Sequence, residues 1–157
     1  MTTETTKAAC VTTIAEAPLQ VGRKLGPTEW RRMTQEQVNQ FAEVTGDRNF
    51  IHVDPQRARD TAFGGTIAHG YLTLSLLAPI SQQLLVVTDA STSINYGLNK
   101  LRFPGPLPVG AEFRSRGEIV EVTPFEKGVQ VTAAFTIEVK DAAKPALVAE
   151  CLFRYYR

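Results

Sequence analysis

The chain is 157 residues long with 43% apolar and 21% charged residues, values of an ordinary globular domain able to bury one sizeable core. Its formal net charge of +1 gives no electrostatic footprint for nucleic acid or an anionic membrane surface. The most apolar stretch, residues 71–87, is broken by Thr73, Ser75, Pro79, Ser81, Gln82 and Gln83, so it reads as a buried helix and not as a membrane span.

Residues 1–20 show neither helical nor strand periodicity and are expected to form a mobile tail, with a single domain over 21–157. The first seven residues are Thr-rich and lack the apolar block of a signal peptide. Cys10 and Cys151 lie at opposite ends with no CxxC pair; they read as free thiols, which suits a reducing cytoplasm. Residues 28–33 look like a short extended segment. Thr34-Gln35-Glu36-Gln37 has the pattern of a capping box, and Val38, Phe41, Ala42 and Thr45 follow on one helical face. Gly46 is placed to end that helix in the left-handed conformation, so Asp47 emerges at a sharp turn. Asp54-Pro55 repeats the start signal, an N-cap carboxylate followed by proline at the first helical position, and predicts a short helix over 56–60. After the connector Phe63-Gly64-Gly65-Thr66, a longer helix begins near Gly70. Leu72, Leu74, Leu76, Leu77, Ile80, Leu84 and Leu85 cover most of its circumference, which predicts burial on nearly all sides. Pro79 predicts a kink or break there.

Beyond Thr88 the pattern becomes extended. Val129, Val131, Ala133, Phe135, Ile137 and Val139 alternate with more polar residues, and Leu147, Ala149, Cys151, Phe153 and Tyr155 do the same, each the mark of a strand with one buried face. Residues 141–145 fit a hairpin connection between them. Two further strands fit 93–103 and 111–122, linked by a Pro- and Gly-rich stretch. Helices first, then about four strands in meander order, give an α+β fold: a nearly all-apolar helix packed into a curled antiparallel sheet.

Both histidines of the chain lie in or beside one polar stretch, Gly46-Asp47-Arg48-Asn49-Phe50-Ile51-His52-Val53-Asp54-Pro55, followed by Ile67-Ala68-His69-Gly70. Every residue here has a structural reading: Gly46-Asp47 as a helix end and Asx turn, Asp54-Pro55 as a helix start, His69 as an N-cap. The chemical reading is that Asp47 and His52, five apart on a constrained loop, converge on one water, which a carboxylate and a neutral imidazole can split between them. Asn49 is placed to orient one of the pair. Gly70 puts an unobstructed N–H at the positive end of a buried helix, suited to an oxygen gaining negative charge.

Gly46-Asp47-x-Asn49-x-Ile51-His52-x-Asp54-Pro55 with Ala58, Phe63-Gly64 and Ile67-Ala68-His69-Gly70 resembles the MaoC-like dehydratases, also known as (R)-specific enoyl-CoA hydratases or hydratase 2. The stretch 95–103 looks like a NodN-like subgroup of that family. The resemblance implies a hotdog fold, a long helix wrapped by an antiparallel sheet, paired into a homodimer. It implies Asp47 and His52 as the catalytic pair, the Gly70 N–H as donor to a thioester oxygen, and reversible syn addition of water to a trans-2-enoyl-CoA to give an (R)-3-hydroxyacyl-CoA. No cofactor is implied beyond the CoA thioester that serves as substrate, and no metal. One departure stands out: the family's usual proline after Asn49 is replaced by Phe50, which gives up a backbone restraint and adds bulk.

Lys100, Arg102, Arg57 and Arg59 are candidates for the CoA phosphates, against the structural reading of solvated surface charge; Arg102, inside a strand, is the least easily explained that way. Three rival readings stay open. His52-Val53-Asp54 with His69 has the ligand order of an iron facial triad. A hotdog domain can instead hydrolyse acyl-CoA as a thioesterase. A catalytically silent acyl-CoA-binding subunit is the third.

Overall fold

The computed structural model describes residues 9–157. In chain order these form β1 (Cys10–Thr12), a short 3-10 helix (Ala17–Gln20), β2 (Lys24–Leu25), β3 (Arg31–Arg32), α1 (Gln35–Thr45), α2 (Phe50–Val53), α3 (Pro55–Arg59), α4 (Gly70–Ser75), α5 (Leu77–Leu84), β4 (Leu85–Val87), β5 (Thr92–Arg102), β6 (Glu112–Phe125), β7 (Gly128–Val139) and β8 (Leu147–Tyr156). Regular structure therefore begins well before Val21, within the stretch expected to form a tail. A three-residue strand is too short to show alternation. β1 nonetheless pairs in parallel with β4, and Cys10, Thr12, Ile14 and Ala17 are buried. The part of that expectation falling on residues 1–8 lies outside the described residues.

The local signals hold. Thr34 Oγ1 accepts from the Gln37 amide while Gln37 Oε1 accepts from the Thr34 amide, a complete capping box at the head of α1. Gly46 closes α1 at φ 79° with its N–H on Ala42 O, a backbone that favours glycine. Asp54 Oδ1 accepts from the Arg57 amide and Pro55 opens α3.

The main sheet is antiparallel with the order β2-β6-β7-β8-β5, and β3 also pairs with β6. The inward residues of β7 and β8 named above are all buried, as the alternation requires. They meet Leu76, Leu77, Ile80 and Leu84 of the central helix in one core, where each buried Leu or Ile contributes about 1.5–3 kcal/mol. The meander expectation needs one correction: β5 pairs with β8, the last strand, and not with β6. The link after β5 cannot fold back as a hairpin. Pro104, Pro106 and Pro108 occupy it, and it is tied to the chain ahead of α4 through Ala68 N–H to Leu107 O, 2.8 Å, and Val109 N–H to Thr66 O, 2.9 Å. It therefore carries the chain to the far side of the sheet.

The central helix is also less covered than its sequence suggests. Tyr71, Ser75, Pro79 and Gln82 are exposed, and Leu72 and Leu74 are half-buried. The sheet of this one chain shields a single side of the rod. The break falls at Leu76, between α4 and α5, and not at Pro79 itself. Proline lacks an N–H and its ring presses on the carbonyl four residues back, which is that of Ser75. Among the described residues no helix is long and apolar enough to cross a membrane.

Candidate active site

α1 ends at Gly46 and the chain turns at once into Asp47, whose Oδ1 accepts from the Asn49 amide at 3.4 Å. Asn49 caps α2, its Oδ1 accepting from the Ile51 amide at 3.3 Å, while its own carbonyl accepts from the His52 amide at 2.9 Å. Asn49 thus fixes the turn of helix that carries His52. Phe50 occupies the first position of α2, and the Arg57 guanidinium lies 4.3 Å from its ring centroid. The cap and this cation–π contact restrain the loop where a proline would.

Asp47, His52 and His69 converge: one donor atom from each lies within 4.8 Å of the others. Asp47 is exposed, whereas His52 and His69 keep only 7% and 2% of their surface. The two imidazoles stack with centroids 3.9 Å apart and planes inclined by 26°. His52 Nδ1 lies 2.7 Å from Ile67 O; a carbonyl can only accept, so the proton sits on Nδ1 and the lone pair on Nε2. His69 Nε2 lies 2.9 Å from the main-chain oxygen of Asp47, which by the same reasoning makes it the donor. Burial is the main cause holding the His52 pKa below the usual histidine range, with His69 adding to it; the Ile67 carbonyl and the Asp47 charge oppose it. Arg48, next to Asp47, pairs with Glu43 at 2.6 Å on the surface.

The facial-triad reading is corrected on its third member: Asp54 serves as the cap of α3, and the carboxylate beside the two histidines is that of Asp47. Two imidazoles and a carboxylate are the right donors for a borderline divalent ion. One nitrogen of each ring is already engaged by a main-chain carbonyl, His52 Nδ1 by Ile67 O and His69 Nε2 by Asp47 O.

Gly70 opens α4 directly after His69, and among the described residues its N–H has no acceptor. Beside it runs a groove of about 410 Å³ lined by Phe63, Ile67, Ala68, Thr73, Phe103 and Leu107, with Gly70 at its wall. A side chain on Gly70 would place its Cβ 3.2 Å from the Phe103 ring, so glycine keeps this corner open. Lys100 and Arg102 are not part of this assembly. They line a different groove of about 760 Å³ over β5, β7 and β8. Lys100 faces Glu150 at 3.8 Å, and Arg102 donates to Leu101 O at 2.7 Å. Arg57 and Arg59 are exposed.

Two contributors escaped the sequence reading. His69 looked like an N-cap, yet its side chain makes no cap bond. Gln35 donates to His52 O at 2.7 Å and accepts from the Thr66 hydroxyl, joining α1, α2 and the segment before α4. Nothing in its spacing distinguishes it from any first-turn glutamine.

A central helix seated on a curled antiparallel sheet, with a carboxylate and an imidazole gathered at the helix mouth, defines a hotdog-fold enzyme of the dehydratase and hydratase class. Residues 16–140 match the MaoC like domain, and the chain belongs to the MaoC-like dehydratase family. It is similar to 3-hydroxyacyl-thioester dehydratase Z of Mycobacterium tuberculosis, 48% identical over 143 residues that cover 90% of this chain and 95% of that protein. It also resembles nodulation protein N of Rhizobium leguminosarum bv. viciae, 37% identical over 139 residues, covering 87% of this chain and 86% of the other. Among solved structures, unliganded R-hydratase PhaJ1 from Pseudomonas aeruginosa superposes with a TM-score of 0.75 at 28% identity, covering 92% of this chain and 86% of its own.

Proposed function

We propose that this chain is a hydro-lyase that reversibly adds water to a trans-2-enoyl-CoA, giving an (R)-3-hydroxyacyl-CoA. The observation that carries the reading is the convergence of the Asp47 carboxylate and the His52 imidazole beside His69, the residue directly before the free Gly70 amide. His52, with its proton on Nδ1 held by Ile67 O, offers the Nε2 lone pair to a water that Asp47 also grips. As the water oxygen bonds to C3, the C2=C3 π electrons shift toward the thioester oxygen. The Gly70 N–H at the helix start stabilises that developing charge, a contribution of about 10²–10³ in rate for such a donor. The proton taken from water is returned to C2 on the same face, which completes a syn addition; dehydration is the reverse. A positioned acid/base pair adds about 10²–10⁴. The apolar groove along Gly70 suits an acyl chain, and Lys100 and Arg102 are basic groups available for the CoA phosphates. The protein is proposed to act as a cytoplasmic homodimer.

The test is to mix the purified protein with crotonyl-CoA and longer enoyl thioesters. Loss of the enoyl absorbance without release of free thiol is the expected result, and Asp47→Asn or His52→Ala should abolish it while the far-ultraviolet spectrum stays unchanged. Release of CoA identifies a thioesterase instead, and binding without turnover a silent subunit. Undiminished turnover in either variant removes the mechanism.

A further inference from the structure

We infer that His69 is a positioning residue of this site, clamping both members of the Asp47/His52 pair through its two sides; the inference rests on the hydratase reading above. One side is a hydrogen bond. His69 Nε2–H reaches the main-chain oxygen of Asp47 across 22 residues of sequence, fixing the first turn after α1, from which the carboxylate projects. The other is a ring face, stacked on His52 at 3.9 Å. Phe41 of α1 closes in behind at 4.9 Å, so the imidazole is wedged between the helix before the loop and the histidine within it.

Its main chain is committed as well. The His69 carbonyl accepts from the Thr73 amide at 3.0 Å and from the Thr73 hydroxyl at 3.1 Å, which ties the His69 backbone to the first turn of α4. A shift of the His69 backbone would therefore carry the ring, and with it the contacts to the Asp47 turn and the His52 ring, along with the start of α4. The remaining nitrogen, Nδ1, is buried with no partner among the described residues. A group placed there only to satisfy the fold would be expected to use both nitrogens. Here one nitrogen is spent on the Asp47 backbone and the ring plane on His52, which is the arrangement a positioning role needs.

Two variants separate the two contacts. His69→Phe preserves a ring against His52 but removes the donor to Asp47; His69→Gln preserves an N–H at the reach of Nε2 but removes the stacked ring. The expected result is that His69→Phe lowers kcat for enoyl-CoA hydration about 10–100-fold, with KM within about twofold. His69→Gln should recover part of that loss. A second measurement does not depend on turnover. With only two histidines in the chain, a two-bond proton–nitrogen spectrum of labelled protein above neutral pH should show opposite tautomers, Nδ1–H for His52 and Nε2–H for His69. If the wild type hydrates no enoyl thioester, the hydratase reading fails, and the tautomers alone decide the placement of His69. His69 in the Nδ1–H form overturns the inference, as does wild-type kcat in both variants or a loss confined to KM.

Discussion

His52 must keep a lone pair on Nε2 to accept a proton from water, and its surroundings decide over which pH range it does so. Burial lowers its pKa below the ordinary value, about 6.5. The expected acidic limb of kcat/KM for hydration therefore lies below pH ~6.5, and a pH–rate profile in crotonyl-CoA measures it. The same shift bears on stability with a definite sign. Between the unfolded value and the lower folded one, the unfolded chain binds the proton more readily, so the stabilisation is complete above about pH 6.5 and is lost as pH falls through the folded pKa. Denaturation midpoints should drop across that window in the wild type and drop less in His52→Gln; equal slopes in the two would contradict it. Gly70 gives a second prediction at this scale. Alanine there meets the Phe103 ring at 3.2 Å and crowds the approach to the amide, while the backbone has no left-handed angle for alanine to resist. The variant should fold normally and lose rate on the order of 10²-fold, read by the same assay. Asp47 and His52 were legible as a pair because Gly46 and Asp54 pin the loop on either side. The aim of His69 was not, since it depends on a contact 22 residues away that no local pattern encodes.

Elements show the same division between local and distant causes. α1 could be read to its ends because both caps are built from neighbouring residues: Thr34 with Gln37, and Gly46 with Ala42. Removing the first should be felt through the site, since Gln35 in that same turn holds the His52 carbonyl. Thr34→Ala is expected to lower unfolding free energy by about 1 kcal/mol in denaturant titration, with a smaller loss of activity. No change in midpoint would mean the box is idle. The position of β5 beside β8 is a different matter. Its extended pattern announces a strand, but its neighbour is chosen by the proline-bearing link and by the bonds of Ala68 and Val109 across it. The break at Leu76 was displaced from Pro79 for a related reason: proline acts on the carbonyl it faces, so its effect surfaces a turn earlier than its place in the sequence.

At the scale of the whole molecule, the sequence describes a helix apolar nearly all round, and one chain covers only part of it. The uncovered side is organised. Leu72 and Leu74 lie half-buried, and a groove of about 290 Å³ runs between Leu74, Leu77 and Ala78 of the helix and Leu98 and Phe153 of the sheet. β5 continues this surface. It pairs with β8 along one edge, has no strand on the other among the described residues, and leaves Ile94, Tyr96 and Leu98 exposed. An unpaired edge bearing apolar side chains beside an apolar helix flank invites association. A second copy of the chain offers the same edge and the same flank, related by a twofold axis. Light scattering should therefore return twice the 17.3 kDa of one chain. Leu98→Lys, which sets a charge into that seam, should shift the equilibrium toward monomer without unfolding it, because Leu98 sits at the rim of the groove with 42% of its surface exposed and an edge strand tolerates a lysine. A wild type that stays monomeric at micromolar concentration would mean that this surface meets some other partner or none.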